Sequence, residues 1–191
     1  MAKDQIRAIG IDDAPFDFSQ ERVLVVGSVV RAPNYLEGIL STEVNIDGED
    51  ATQRLSEMIS ESRFLDQASV IFVDGAAVGG FNLIDLEELY ESTGIPVITI
   101  SRERPDFDRI KSALREHFQA WEEKLEMMKK GEIHEIETEH RPIYVQKEGI
   151  DLSEVKDLIS SFTVRGRIPE PIRISHMVAS GIVRGESKGK A

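Results

Sequence analysis

Residues 165–176 read Arg-Gly-Arg-Ile-Pro-Glu-Pro-Ile-Arg-Ile-Ser-His and surround one predicted helix start with prolines, arginines and a histidine. Pro171 suits the first turn of a helix, where its missing N–H group leaves no hydrogen bond unmade. Arg173 and His176 are three residues apart, so they share a face if the segment is helical. A cation and a metal-ligating imidazole on one face suggest a site for a phosphate group or a metal ion.

Upstream of this stretch, apolar runs predict a sheet and alternating helices. Strands are predicted at residues 6–12, 22–30, 38–47, 69–73, 96–100 and 143–145. Helices are predicted from about residue 51 and at 83–92, 106–130, 152–162 and 171–182. Three leading strands predict an antiparallel meander, and the alternation that follows predicts parallel strands flanked by helices.

Composition fits one soluble globular domain of 191 residues, with 40% hydrophobic and 30% charged residues. We expect a single domain over residues 1–183 and a flexible tail over 184–191. The chain has no cysteine, no signal-like start and no apolar run long enough for a membrane, which predicts a cytoplasmic protein. A net charge of −12 argues against a general nucleic-acid coat but permits carboxylates that attract cations.

Several motifs resemble endonuclease V in collinear order. The pattern Arg-x-Pro-Glu-Pro-x-Arg-x-x-His resembles that family's C-terminal signature, and Tyr35 begins a stretch similar to its Tyr-Ile-Pro-Gly-Phe-Leu. Further matches are Gly10-Ile11-Asp12, Val73-Asp74-Gly75, and the segments 141–145 and 149–152. The Ile-Asp-Asp-Ala-Pro and Gly-Gly-Phe-Asn segments are similar to an uncharacterised archaeal family distantly related to endonuclease V.

This resemblance implies a ribonuclease H-like α/β fold: a mixed sheet with antiparallel strands 1–3, then parallel strands, flanked by helices. It also implies a nuclease or phosphodiesterase that depends on Mg²⁺ or Mn²⁺, with DNA or RNA as partner. The alternative is a non-catalytic protein that retains the fold and binds nucleic acid or a nucleotide. Nucleotide binding would use the loop over residues 75–80 at a helix N-terminus, although this loop does not match G-x-G-x-x-G.

Three carboxylates fall at predicted strand ends, Asp12, Asp47 and Asp74, where sites form in open α/β sheets. Hard divalent ions prefer such oxygen ligands, and His176 would add a nitrogen. By resemblance, Asp12, Asp74 and His176 match metal-binding positions of endonuclease V. That family has a further Glu after a Phe-Arg pair, which this sequence lacks. Asp47 is therefore the predicted fourth metal-binding and catalytic residue, with Glu43 as second choice.

Two arginines are predicted to bind substrate phosphate, because a guanidinium group can hold two phosphate oxygens at once. Arg102 matches a lysine that follows the fifth strand of endonuclease V, and Arg173 precedes His176 by one turn. We expect both to face the acidic cluster, with the three carboxylates within roughly 8 Å of one another. The alternative for Arg173 is an ion pair with Glu170 that only fixes the helix entry.

Two departures from endonuclease V affect the expected substrate. The Pro-Tyr-Ile-Pro segment of that family is Asn34-Tyr35-Leu36-Glu37 here, and its Gly-His-Gly loop is Gly75-Ala76-Ala77. Recognition of the same base is therefore not expected, while the metal site can persist with a different substrate.

Overall fold

The computed structural model describes residues 6–187 and contains a seven-stranded mixed sheet with a small separate hairpin. Its strands are β1 Arg7–Asp13, β2 Arg22–Arg31, β3 Tyr35–Asn45, β4 Val70–Asp74, β5 Ala77–Val78, β6 Asn82–Leu83, β7 Val97–Ser101, β8 His134–Ile136 and β9 Ile143–Glu148. The order in the main sheet is β3-β2-β1-β4-β7-β9-β8, and β5 pairs only with β6.

Strand directions confirm the predicted mixed sheet and extend it. Strands β1, β2 and β3 are antiparallel neighbours, whereas β4 is parallel to both β1 and β7. Strands β9 and β8 then continue the sheet in antiparallel pairing beyond β7. The last two strands therefore differ from the predicted parallel continuation, and the short strand β8 was not predicted.

The described residues contain six helices: α1 Ala51–Ser60, α2 Leu86–Thr93, α3 Phe107–His117, α4 Trp121–Lys129, α5 Leu152–Phe162 and α6 Glu170–Arg184. The single helix predicted over 106–130 is wrong, because Phe118 is extended and ends α3. Its ring makes an edge contact with Phe81 of the hairpin region, at 5.7 Å between centroids. The end of α3 therefore coincides with a tertiary contact between Phe118 and the hairpin.

Two apolar clusters lie on opposite faces of the sheet. One includes Ile9, Ile11 and Val73 with apolar residues of α1 and α2. The other includes Phe72 and Ile100 with residues of α5 and the start of α6. Because side chains alternate along a strand, Gly10, Asp12 and Asp74 belong to the α6 face of the sheet.

Helix α6 lies so close to β1 that a side chain at the position of Gly10 would not fit between them. A Cβ atom on Gly10 would lie 2.1 Å from the carbonyl carbon of Pro171. The hydroxyl of Ser175 donates to the Gly10 carbonyl at 2.7 Å and accepts the Ser28 N–H at 2.9 Å. This buried contact fixes where the next residue of the helix, His176, meets the sheet.

The predicted tail falls partly outside the described residues, since 188–191 are not among them, and α6 extends to Arg184. Within residues 6–187, no helix is both long enough and apolar enough to cross a membrane.

Candidate active site

The carboxyl ends of β1 and β4 bring Asp12 and Asp74 together. These strands are parallel neighbours, and Ile11 is in register with Val73. The next residue on each strand is an aspartate, so both side chains project from the same face, about 5 Å apart at the backbone. Asp12 is 7% exposed and Asp74 is partly buried. The predicted convergence of these two acids thus follows from the register of the sheet.

His176 reaches the same point from α6. Its Nδ1 atom lies 2.8 Å from Oδ2 of Asp12, although the two residues are 164 positions apart in the chain. The other oxygen of Asp12 accepts the N–H of Asp13 at 2.9 Å. Within the described chain, Nε2 of His176 is buried and has no hydrogen-bond partner. An imidazole held through Nδ1 leaves Nε2 as the nitrogen that can bind a metal or a proton.

Asp13 is a third acid at this site, and it is not among the site residues predicted from the sequence. Its Oδ2 accepts the N–H of Gly79 at 2.5 Å, which attaches the β5–β6 hairpin to the end of β1. Burial raises the pKa of Asp13, and the negative charge of Asp74 adds to this shift. The Asp-Asp pair at the predicted strand end was the available signal for its role.

Burial raises the pKa of Asp12 to about 8, from an ordinary value of 3.8. The negative charges of Asp74 and Asp13 add to this shift, while the cation of Arg102 opposes it. Burial and the negative charges of two neighbouring acids both disfavour the charged form of a carboxyl group. The site therefore carries an excess of acidic groups that a bound cation would neutralise.

Replacing Asp12 with Asn should stabilise the protein, increasingly so as the pH rises from about 4 to 8. The folded state holds a proton on Asp12 that the unfolded chain releases, so this group's contribution is complete below pH 4 and is lost as pH rises through about 8. Each unit of pKa shift is worth about 1.4 kcal/mol, so the gain at pH 8 should amount to several kcal/mol. Urea unfolding in EDTA across this range measures it, and a pH-independent difference between variant and wild type would contradict it.

Arg102 lies at the same edge, as predicted, at the end of β7. Its Nη1 donates to both carboxylate oxygens of Asp74, at 3.1 and 3.2 Å. Its Nη2 is buried without a hydrogen-bond partner among the described residues. Arg167, which sequence reasoning did not single out, donates from Nη1 to the Arg102 carbonyl at 2.9 Å and so supports this loop. The close Arg-Gly-Arg spacing was its only sequence signal.

The expectation that Arg173 faces the acidic cluster is not what the structure shows. Its Nε and Nη2 atoms donate to Oε2 of Glu170, at 2.9 and 2.5 Å. Glu170 is 3% exposed, and an arginine satisfies such a buried carboxylate. The ion pair with Glu170, the alternative reading from the sequence, accounts for this geometry, and a phosphate role for Arg173 stays a prediction.

The two candidates for the fourth acid, Asp47 and Glu43, have side-chain partners outside the group formed by Asp12, Asp74 and His176. Asp47 has a φ of 54°, and its Oδ1 accepts the N–H of Phe81 at 2.8 Å, so it holds the hairpin. Glu43 is exposed on β3 and lies 3.5 Å from Arg22. Asp47 and Glu43 as metal ligands therefore remain predictions.

The glycine loop over residues 75–80 does not form the helix N-terminus expected for nucleotide binding. It enters the β5–β6 hairpin, where Gly79 and Gly80 both have positive φ. Helix α2 begins only at Leu86, and the carboxylate of Asp85 caps its first N–H groups. The predicted phosphate cradle is therefore absent from this part of the structure.

The donor types at this site fit a hard divalent ion, but the side chains are paired with each other. Among residues 6–187, no three His, Asp or Glu side chains form a group arranged to hold an ion. His176 pairs with Asp12, and Arg102 pairs with Asp74. A bound ion would favour the charged form of Asp12, whose pKa is raised, and would give the buried Nε2 atom of His176 a partner.

The fold is similar to that of endonuclease V. Human endonuclease V superposes with a TM-score of 0.62 at 17% identity, covering 95% of this chain and 85% of that one. A Ciona intestinalis endonuclease V, solved with a 24mer DNA containing an inosine, also gives 0.62, at 13% identity, covering 94% and 87%. At such identities the likeness concerns the fold alone.

The chain belongs to the family described as Endonuclease dU, whose model matches residues 4–183. A UPF0215 protein of Methanothermobacter thermautotrophicus is 46% identical over 191 residues, covering 99% of this chain and 93% of the relative. A protein of unknown function from Archaeoglobus fulgidus, 40% identical, superposes with a TM-score of 0.83, covering 93% and 98%. The predicted relationship to an archaeal family distantly related to endonuclease V is confirmed.

Proposed function

We propose that this protein is a divalent-metal-dependent endonuclease that hydrolyses a phosphodiester bond in nucleic acid. The observation that supports it best is the convergence of Asp12, Asp74 and His176, with Arg102, at the carboxyl ends of parallel strands. The family description names dU, so DNA containing deoxyuridine is the first substrate to test. The proposed functional unit is the single domain over residues 1–183.

Asp12, Asp74 and Nε2 of His176 would hold Mg²⁺ or Mn²⁺. Such an ion supplies an activated water molecule and stabilises charge on the phosphoryl oxygens. A proton on Asp12 would have to leave before this carboxylate could bind the ion, whereas an Nδ1–H held by Asp12 would leave Nε2 of His176 free to bind it. Asp13 holds the hairpin in place through Gly79 and keeps the end of β1 fixed.

Arg102 would bind the phosphate group beside these acids. It uses Nη1 on Asp74 and leaves Nη2 unpartnered, which costs about 1–3 kcal/mol for a buried donor. A phosphate oxygen would satisfy that nitrogen. In a chain with a net charge of −12, local positive charge of this kind offsets the long-range repulsion of a polyanion.

The test combines cleavage with ion binding. We expect Mn²⁺ to bind the wild type in calorimetry and to support cutting of an oligonucleotide that contains one deoxyuridine. Matched oligonucleotides with inosine, with thymidine, or made of RNA define the specificity. Absence of cleavage with every substrate, at saturating Mn²⁺ and Mg²⁺, would contradict the proposal.

Mn²⁺ should bind more tightly as the pH rises towards about 8. The pKa of Asp12 is raised to about 8, so below that value the ion must displace a proton before it can bind. The apparent Kd should fall by about tenfold per pH unit between pH 6 and 7.5 if one proton is released. Calorimetry in buffers of different ionisation enthalpy counts the protons, and a flat pH profile would exclude Asp12 as a ligand.

The second candidate function is a nucleic-acid-binding protein without catalysis. It is favoured by the closed pairings of His176 with Asp12 and of Arg102 with Asp74, which leave no arranged ion site in residues 6–187. This candidate predicts that oligonucleotides bind equally well in Mn²⁺ and in EDTA and stay intact.

A further inference from the structure

An exposed aromatic ring lies on the loop that follows β1, the strand that carries Asp12. Phe18 is 72% exposed, the highest fraction among the large hydrophobic side chains of the described residues. The loop connects Asp13, at the end of β1, with β2, so this ring belongs to the segment that leaves the acidic cluster. The contacts described above among Asp12, Asp74, His176 and Arg102 do not involve this ring.

The loop holds this ring at the tip of a hydrogen-bonded turn. Asp17 accepts the N–H of Ser19 through its side chain and the N–H of Gln20 through its carbonyl, at 2.8 and 2.9 Å. The Gln20 side chain accepts the N–H of Asp17 at 2.8 Å in return. Three bonds across four residues give Phe18 a defined position, although its ring is solvated.

A second aromatic ring anchors Phe18 to the core. Phe16 packs against the apolar cluster on the α1–α2 face, and its ring meets that of Phe18 edge-on, with centroids 5.2 Å apart. An edge contact of this kind leaves a face of the Phe18 ring available. The turn and this contact together present a ring face to solvent.

The tip of the β5–β6 hairpin lies next to Phe18. A Cβ atom on Gly80 would lie 3.5 Å from Cε1 of Phe18, and the adjacent Gly79 binds Asp13. The ring is thus connected to the acidic cluster through two glycines. The same Cβ position would also meet the carboxylate of Asp47, so a flat group would reach the ring from its solvent side.

We propose that Phe18 is a stacking platform for an unpaired nucleobase of the substrate strand, at the same end of β1 as Asp12. Stacking on an aromatic ring does not depend on charge, so it suits a chain whose net charge of −12 repels the polyanion. Every base has a flat face, so the platform contributes affinity for a base in general rather than for one base. This inference rests on the proposed function for its substrate class.

The test measures binding in EDTA, so that it does not depend on cleavage. The ligands are a short thymidylate oligonucleotide and an abasic oligonucleotide of equal length and charge. Wild type should bind the base-containing strand about tenfold more tightly than the abasic strand. Phe18→Ala should lose this preference, Phe18→Trp should keep it, and Ile182→Ala, which also shortens an exposed apolar side chain, should leave it unchanged.

The outcomes separate this inference from the proposed endonuclease activity. A base preference that requires an aromatic residue at position 18, in a protein that cuts nothing, supports the platform and refutes the nuclease. Cleavage of deoxyuridine DNA by a protein whose Phe18→Ala variant still prefers the base-containing strand supports the nuclease and overturns the platform. A wild type that does not distinguish the two strands also overturns it.

Discussion

Asp74→Asn should lower Mn²⁺-dependent cleavage by at least about 100-fold while leaving the protein folded. The substitution removes the negative charge that lies beside Asp12 in register and that holds Arg102 at the end of β7. An amide oxygen is a weaker ligand for a hard cation, and Arg102 loses its ion pair. Single-turnover cleavage at saturating protein, with calorimetry for Mn²⁺ affinity, measures the two effects separately.

Asp47→Asn is the matched control for this prediction. The amide oxygen of Asn can still accept the N–H of Phe81, so a side chain that only holds the hairpin should tolerate the change. Activity near that of wild type would show that Asp47 is not a metal ligand. A loss as large as that of Asp74→Asn would instead support its prediction as a ligand. Full cleavage by Asp74→Asn would refute the metal site itself.

Gly10→Ala should destabilise the protein by about 3 kcal/mol or more. Its Cβ atom would lie 2.1 Å from the carbonyl carbon of Pro171 and 2.5 Å from the nitrogen of Ile172. Both atoms are backbone, so no side-chain rotation relieves the overlap and α6 must move. Because α6 carries His176 to Asp12, the same substitution should also weaken Mn²⁺ binding in whatever fraction remains folded.

Gly181→Ala is the control within the same helix. A Cβ atom there meets nothing within 4 Å, and alanine is the better helix former by about 0.5–1 kcal/mol. Thermal and urea unfolding should therefore show a small gain for Gly181→Ala and a large loss for Gly10→Ala. A Gly10→Ala protein as stable as wild type would show that the helix does not pack as described.

The elements that sequence patterns predicted are those whose pattern reflects burial. Strand β2 is an apolar, β-branched run with buried residues along most of its length, and α5 was predicted with its observed bounds at 152–162. The elements that were missed are set by contacts with distant residues. The β5–β6 hairpin depends on Asp13 and Asp47, and the end of α3 accompanies contact between Phe118 and Phe81.

The candidate site shows the same division. Asp12, Asp74 and Arg102 were predictable because each lies at or directly after the end of a strand, and parallel strands end at one edge of a sheet. The partner of Arg173 was not decidable from spacing, because Glu170 and His176 are both three residues away on α6. Burial of Glu170 favours the ion pair, and burial emerges only when the helix is packed on the sheet.

The contact between Asp12 and His176 joins the first strand to the last helix, across 164 positions of the chain. Ser175 and Gly10 make the same connection one residue away. During synthesis, β1 leaves the ribosome long before α6 exists, so a nascent chain holds the acids of the sheet without their histidine. Contacts this distant in sequence carry a large loop-closure cost, which slows their formation. A chain interrupted before residue 170 would therefore contain every strand of the described sheet but not His176, the partner of Asp12.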